Sequence, residues 1–192
     1  MKSLATMNLI SKATDLGVYD ISSCVLDDDR FDIWSGSSKP EQHHYSRNGL
    51  ARHIAEVVDL CFSTIKVLNM SVDPVEVFLS ALYHDAGKLY DYEPVDAEYK
   101  EWVGTSHKRK VHHISRSVIM WNTACQKYGG KYDKYVDDVT HNILSHHGLR
   151  AWGSPVMPKT KCAWLLHLSD NLSARVDDCD RMDFVKMDKT GI

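Results

Sequence analysis

Cysteine is sparse and unpaired in this chain. Its five residues, Cys24, Cys61, Cys125, Cys162 and Cys179, are odd in number and never fall in a CxxC spacing. That excludes a disulfide scaffold and a thiolate zinc ribbon, and it reads as the reduced thiols of a cytoplasmic protein. Proline and glycine are few as well, 5 and 10 of 192 residues, which excludes low-complexity and collagen-like chains. No apolar run approaches the roughly 18 residues a membrane span needs. The opening MKSLATMNLISKATDLG lacks the continuous apolar stretch of a secretory signal, so no membrane partner is expected. Positive charge is not in excess either. With 23 Lys and Arg against 26 Asp and Glu, the formal net charge is −3, which argues against a surface that coats nucleic acid broadly and leaves room only for a local basic patch.

What the chain does have is a core and an excess of histidine. Hydrophobic residues make up 43% of it, enough for one packed domain. Eleven histidines are present, six of them in the adjacent pairs His43/His44, His112/His113 and His146/His147. An ordinary core has no need of such pairs. Without paired cysteines, they point to a metal site of imidazole and carboxylate.

Helical periodicity dominates after residue 40. Leu50, Ile54, Val57, Val58, Cys61, Ile65 and Leu68 recur at three- and four-residue steps, which predicts an amphipathic helix. Asp73 reads as an N-cap, with Pro74 in the first helical position and Glu76 completing a capping box, for a helix running towards Gly87. Further helices are expected over about 107–128, 132–147 and, from Pro158, to about residue 175. The acidic, aromatic stretch 89–106 has no clean period and reads either as a lid or as a surface loop with a helical turn. Residues 1–40 read as an N-terminal arm or cap, 41–176 as the functional domain, and 177–192 as a frayed tail or an oligomer contact. No strand pattern is convincing. The expected class is all-α, a compact helical bundle.

Polar residues interrupt the apolar stripes at regular places. At 100° per residue, Asp85 lies about 20° from Phe78, His146 about 20° from Val139 and Asp170 about 20° from Ala163, while His53 stands about 60° from Leu50 and His113 about 40° from Ser117. Several helices therefore aim a histidine or aspartate inward. A buried carboxylate without a partner is expensive, so two of them among imidazoles call for a compensating cation, and a divalent metal between facing helices supplies one.

The same residues resemble a known family. His53, the doublet His84-Asp85 within Tyr-His-Asp-Ala-Gly-Lys (83–88), His113, His146 and Asp170 match the HD-domain superfamily of metal-dependent phosphohydrolases. Three segments, HHYSRNGLARH (43–53), ILSHHGLRAWGSPVMPKT (143–160) and LHLSDNLSAR (166–175), are most similar to the HD domain of YhaM-type 3′→5′ exoribonucleases. The likeness covers roughly residues 31–175. It implies a dinuclear centre in which His53, His84, Asp85 and Asp170 hold one divalent ion, Asp85, His113 and His146 hold the second, and Asp85 bridges. Manganese is the first choice, with iron, cobalt or nickel open.

The resemblance also assigns Lys88 to the substrate phosphate, one helical turn from Asp85 and too far along to share its lone pairs. It leaves His147 as a third ligand, an outer hydrogen-bond donor or a general acid. Arg116, with the Lys108-Arg109-Lys110 run, and Arg175 are candidate phosphate contacts. His43 and His44 are assigned to capping or packing, and His107, His141 and His167 to structure. The YhaM-type enzymes usually carry an N-terminal OB-type domain, which 40 residues cannot hold, so the expected substrate is short. The leading function is removal of nucleotides from the 3′ end of short single-stranded RNA or DNA. Hydrolysis of a mononucleotide or cyclic nucleotide is the alternative, then an HD-type di-iron oxygenase, and last a non-catalytic binding module. A homo-oligomer is left open.

Overall fold

The computed structural model describes residues 2–181, and the chain folds as an all-α bundle with one small hairpin. The weak periodicity of the first forty residues conceals two helices, α1 (Leu4–Asp15) and α2 (Tyr19–Leu26). Ser3 caps α1 through Thr6 N–H, and both helices pack against the rest of the bundle. Leu9, Ala13, Ile21, Val25, Leu26 and Phe31 are buried in the same core as the later helices. The period is hard to see because the buried positions are diluted by serine, threonine and alanine.

The predicted central helix is α3 (Gly49–Leu68), and it buries Leu50, Ile54, Val57, Val58 and Cys61 together with His53. Next, α4 (Pro74–Tyr83) begins with Pro74 in its first turn, and the Asp73 carboxylate accepts from Val75 N–H at 2.8 Å. The capping box is not completed: Glu76 turns inward and accepts from Asn142 Nδ2 at 2.9 Å. Nor does α4 reach Gly87. It stops at Tyr83, and residues 84–87 form a turn before the one-turn helix α5 (Lys88–Asp91).

The stretch 89–106 is neither a free lid nor a bare loop. Tyr92–Pro94 (β1) and Trp102–Gly104 (β2) pair antiparallel, with Tyr92 opposite Gly104 and Pro94 opposite Trp102. Trp34 ties this hairpin down by donating its indole N–H to Tyr92 O at 3.1 Å and meeting Trp102 edge-on at 5.2 Å. Strands of three residues are too short to leave an alternating pattern in sequence.

The helix expected from 107 is broken in two. After α6 (Ser106–Lys110), Val111 and His112 both return their N–H to His107 O, and His112 takes a left-handed φ of 68°. Helix α7 (His113–Lys127) starts at the ligand candidate itself. A 3₁₀ turn (Asp133–Tyr135) leads into α8 (Val136–Ser145), and another (Arg150–Trp152) comes after it. The last helix, α9 (Lys161–Arg181), starts three residues after Pro158 and runs past 175; the tail residues 182–192 lie outside the described residues. Helix α3 packs on α4 and α9, α7 on α8, and α4 on α8, around a core that includes Phe78, Leu82, Tyr83 and Trp121. Among the described residues no helix is long and apolar enough to cross a membrane.

Candidate metal centre

Five separate segments deliver six side chains to one point. His53 comes from the second turn of α3, His84 and Asp85 from the turn after α4, and His113 from the first residue of α7. His146 lies just past α8, and Asp170 is midway along α9. All are buried. The turn that carries Asp85 presses directly on α7. Gly87 donates its N–H to Ser117 Oγ at 2.9 Å, and a Cβ there would overlap His113 O. Only glycine permits that approach, and it brings Asp85 against His113.

Two donor groups result. His53, His84, Asp85 and Asp170 form one, and His113, His146 and His147 form the other; within each, one ligand atom per residue lies within 4.8 Å of the rest. Asp85 touches both. Its Oδ2 is 3.3 Å from His53 Nε2 and 3.5 Å from His84 Nε2, while its Oδ1 is 3.4 Å from His113 Nε2 and 3.7 Å from His146 Nε2.

These contacts are close without being hydrogen bonds. Nine buried side-chain polar atoms lack a hydrogen-bond partner among the described residues, and five of them are His53 Nε2, His84 Nε2, Asp85 Oδ1, His113 Nε2 and His146 Nε2. Buried polar groups are normally satisfied. Five unsatisfied ones that converge are lone pairs aimed at a shared guest, and the donor set of imidazole and carboxylate suits a divalent transition ion. The clusters are able to hold divalent metal ions.

Each ring is also held in the tautomer that metal binding needs. His84 and His146 donate Nδ1–H to the carbonyls of Ala81 and Ile143, both at 2.7 Å. His53 Nδ1 lies 3.0 Å from Ser173 Oγ; that hydroxyl donates to Glu56 at 2.8 Å, so it accepts from His53. His113 Nδ1 sits 3.4 Å from Asp91 Oδ2, which also accepts the His113 backbone N–H at 3.0 Å. Asp91 Oδ1 takes His107 Nδ1–H at 2.8 Å, and His107 Nε2 accepts from Arg116 Nε at 3.0 Å.

Lys88 departs from the sequence expectation. It is 5% exposed, and its Nζ lies 2.7 Å from Asp85 Oδ2, so it does share the lone pairs of that carboxylate. The side chain folds back along the turn instead of extending to the surface. Burial alone would raise the Asp85 carboxyl, but Lys88 and the imidazoles of His84, His53 and His113 hold it well below the usual range. Burial would lower Lys88, and Asp85 raises it instead. Burial depresses His113 to about 4 and pushes His146 well down, so both are neutral donors. His53 is buried too, yet Asp170 and Asp85 raise it; the field that favours a proton there favours a cation equally.

A cavity of about 210 Å³ opens beside this cluster, lined among others by Asp85, Lys88, His147, Trp152, Asp170 and Arg175. His147 is partly buried and donates Nδ1–H to Trp152 O at 2.8 Å. Arg175 stands at the mouth and pairs with Asp178 at 3.1 Å. His43 also lines the cavity, while His44 is buried and packs through Nε2 on Glu56 at 2.9 Å. Arg116 is not brought to the cavity; its guanidinium lies on the Tyr90 ring, 4.5 Å from the centroid. Lys108 reaches Ser38 at 2.8 Å.

The HD-domain family profile matches residues 43–175. The chain belongs to the HD-domain family of metal-dependent phosphohydrolases. Among curated HD-domain relatives, it is 32% identical over 142 residues to the 3′-5′ exoribonuclease YhaM of Geobacillus sp. (strain WCH70), a match covering 73% of this chain and 42% of that protein. The YhaM proteins of Bacillus pumilus (strain SAFR-032) and Bacillus subtilis (strain 168) are also 32% identical over 142 residues, each match covering 73% of this chain and 43% of the relative. The match therefore spans less than half of these relatives. No solved structure matches the chain.

Sequence reasoning missed Asp91, Glu56 and Ser173. Glu56 stands three residues after His53, and Ser173 three after Asp170, so both share a helix face with a ligand; that spacing was the available signal. Asp91 gave none, since it lies in the stretch without a period.

Proposed function

We propose that this chain is a metal-dependent phosphodiesterase that removes nucleotides from the 3′ end of short single-stranded RNA or DNA. The observation that carries the reading is the convergence of five buried, unpartnered ligand atoms beside a cavity floored by Lys88. The likeness to YhaM exoribonucleases supports the nucleotidyl substrate. The catalytic unit is 41–176, with 1–40 as its cap.

In this reading His53, His84, Asp85 and Asp170 hold one ion, and Asp85, His113 and His146 the other, with manganese as the first choice. When bound, such a pair activates water and neutralises charge on the phosphoryl oxygens. The chain's own groups do the rest. Asp85 would serve both halves, since its Oδ2 faces His53 and His84 and its Oδ1 faces His113 and His146. Lys88, buried and cationic, places fixed charge at the cavity floor, where the negative charge of the ester is concentrated in the transition state. His147 donates Nδ1–H to Trp152 O, so Nε2 is the atom through which its imidazolium form would hand a proton to the leaving oxygen. Arg175 stands where the rest of the substrate enters.

The narrow cavity favours a second reading, hydrolysis of a mononucleotide or cyclic nucleotide. A substrate panel separates the two. Metal-loaded protein is given a labelled oligoribonucleotide, an oligodeoxyribonucleotide, nucleoside mono- and triphosphates, and cyclic dinucleotides. A ladder of products shortened from the 3′ end is expected. Turnover of mononucleotides alone would shift the conclusion to the second reading, and a requirement for dioxygen would overturn both.

A further inference from the structure

We propose that Trp152 is a nucleobase platform at the mouth of the cavity, a subsite for the flat face of the terminal base. This subsite rests on the nucleotidyl reading of the centre. Sites that engulf an organic ligand commonly measure about 300–1,000 Å³, and the cavity here is about 210 Å³. Asp85, Lys88, His147 and Asp170 give one part of its wall charged and polar groups, and Trp152 and Ala174 give another part an apolar surface. The cavity is smaller than such sites, so the phosphoester takes the charged part beside Asp85 and Lys88 and the base lies towards Trp152 at the rim.

At that rim Trp152 is 53% exposed, although an indole is among the most favourable side chains to bury. The turn that displays it is rigid. Trp152 N–H donates to Leu149 O at 3.0 Å, and Gly153 N–H to Arg150 O at 3.0 Å. Gly148, at φ +80°, lies so close to His167 that a Cβ would overlap the imidazole. The ring itself leans on His167 at 6.2 Å between centroids. Trp152 O is also the acceptor that orients His147. One turn thus fixes the aromatic surface and the proposed proton donor together. Stacking on an indole tolerates every base, so this subsite discriminates base from no base, and one base from another only weakly.

The test is a titration of the as-purified protein, followed by intrinsic fluorescence. The probes are the non-hydrolysable phosphonate analogue of adenosine 5′-monophosphate and its ribose counterpart without a base. The base-bearing probe is expected to bind about 5- to 150-fold more tightly, the range that one stacked base supplies, and to quench tryptophan emission. Trp152→Ala should erase that preference, Trp152→Phe should retain part of it, and Trp164→Phe, which changes another exposed tryptophan, should leave it intact. No preference in the unmodified protein, or the same preference in Trp152→Ala, overturns the platform. If the preference stands while oligonucleotides resist hydrolysis, the exonuclease reading alone falls. If oligonucleotides are cut without the preference, the platform alone falls.

Discussion

The metal centre is buried and the α1–α2 cap packs on the same core with one face, and the two treat their polar groups in opposite ways. In the cap, Asp32 accepts from Ser3 N–H at 3.0 and 2.9 Å and from Thr6 Oγ1 at 2.5 Å, and Tyr83 Oη donates to Ile21 O at 2.7 Å. Polar groups there are spent on holding the fold. In the centre, the Nδ1 side of three rings is hydrogen-bonded, that of His113 faces Asp91 at 3.4 Å, and the Nε2 side of all four is left open. A satisfied group contributes stability; an unsatisfied one stores affinity for a ligand.

The largest effect that would break this contrast is at Asp85. Asp85→Ala should abolish metal binding and, by leaving Lys88 buried without its partner, destabilise the fold by about 3–5 kcal/mol. Adding Lys88→Met should recover most of the stability and none of the metal, as read by metal analysis and chemical denaturation. Recovery of both would show that Asp85 is a structural partner and no ligand.

Lys88→Ala alone comes next. Metal stoichiometry should hold while turnover falls by roughly 10²–10³, the scale of one lost electrostatic stabiliser. Wild-type kcat in steady-state assays would reduce Lys88 to a counter-charge for Asp85.

Asp91→Asn is smaller and sharper. The amide can no longer accept from both His113 and His107, so affinity at the His113 half should drop by about 10–100-fold, measured by chelator competition, with the His53 half unchanged. Equal losses in both halves would mean that the fold, and not the tautomer of His113, has been disturbed.

The smallest effect belongs to the cap. Burial would raise the Asp32 carboxyl, but the hydrogen bonds from Ser3 and Thr6 outweigh it and leave the pKa lowered. Its contribution is therefore present above the unfolded-state value of about 3.9 and is lost as pH falls through the lower folded value. Asp32→Asn should cost about 1 kcal/mol at neutral pH, and that difference should shrink progressively in denaturation curves taken as pH falls below the unfolded-state value of about 3.9. A gap that persists in acid would assign the loss to packing.

The inward residues were legible because helical periodicity alone decides which face a side chain joins. His53, His146 and Asp170 each lie on or just beyond a helix with a strong apolar stripe, and the structure brings them together. The interruptions were not legible. The break at His112 arises because Asp91, twenty-two residues upstream, captures the first amide of α7, a contact that no local pattern announces. The turn at Asp85 depends on how closely Gly87 approaches His113 O. Lys88 was misjudged for a different reason: three-residue spacing puts it on the same face as Asp85, and the ammonium pairs with the carboxylate instead of reaching past it. Periodicity reports faces, and tertiary contacts decide where elements end.

The spacing of the six side chains along the chain has an energetic meaning of its own. Apart from the adjacent His84 and Asp85, no two lie within twenty residues of each other in the sequence. An unfolded chain would have to close several long loops at once to gather them, at a substantial entropic cost. It therefore competes poorly for the ion, and almost the whole binding free energy accrues to the folded state. Metal loading then works as a reversible cross-link, joining five distant stretches of backbone that a chelator can release again.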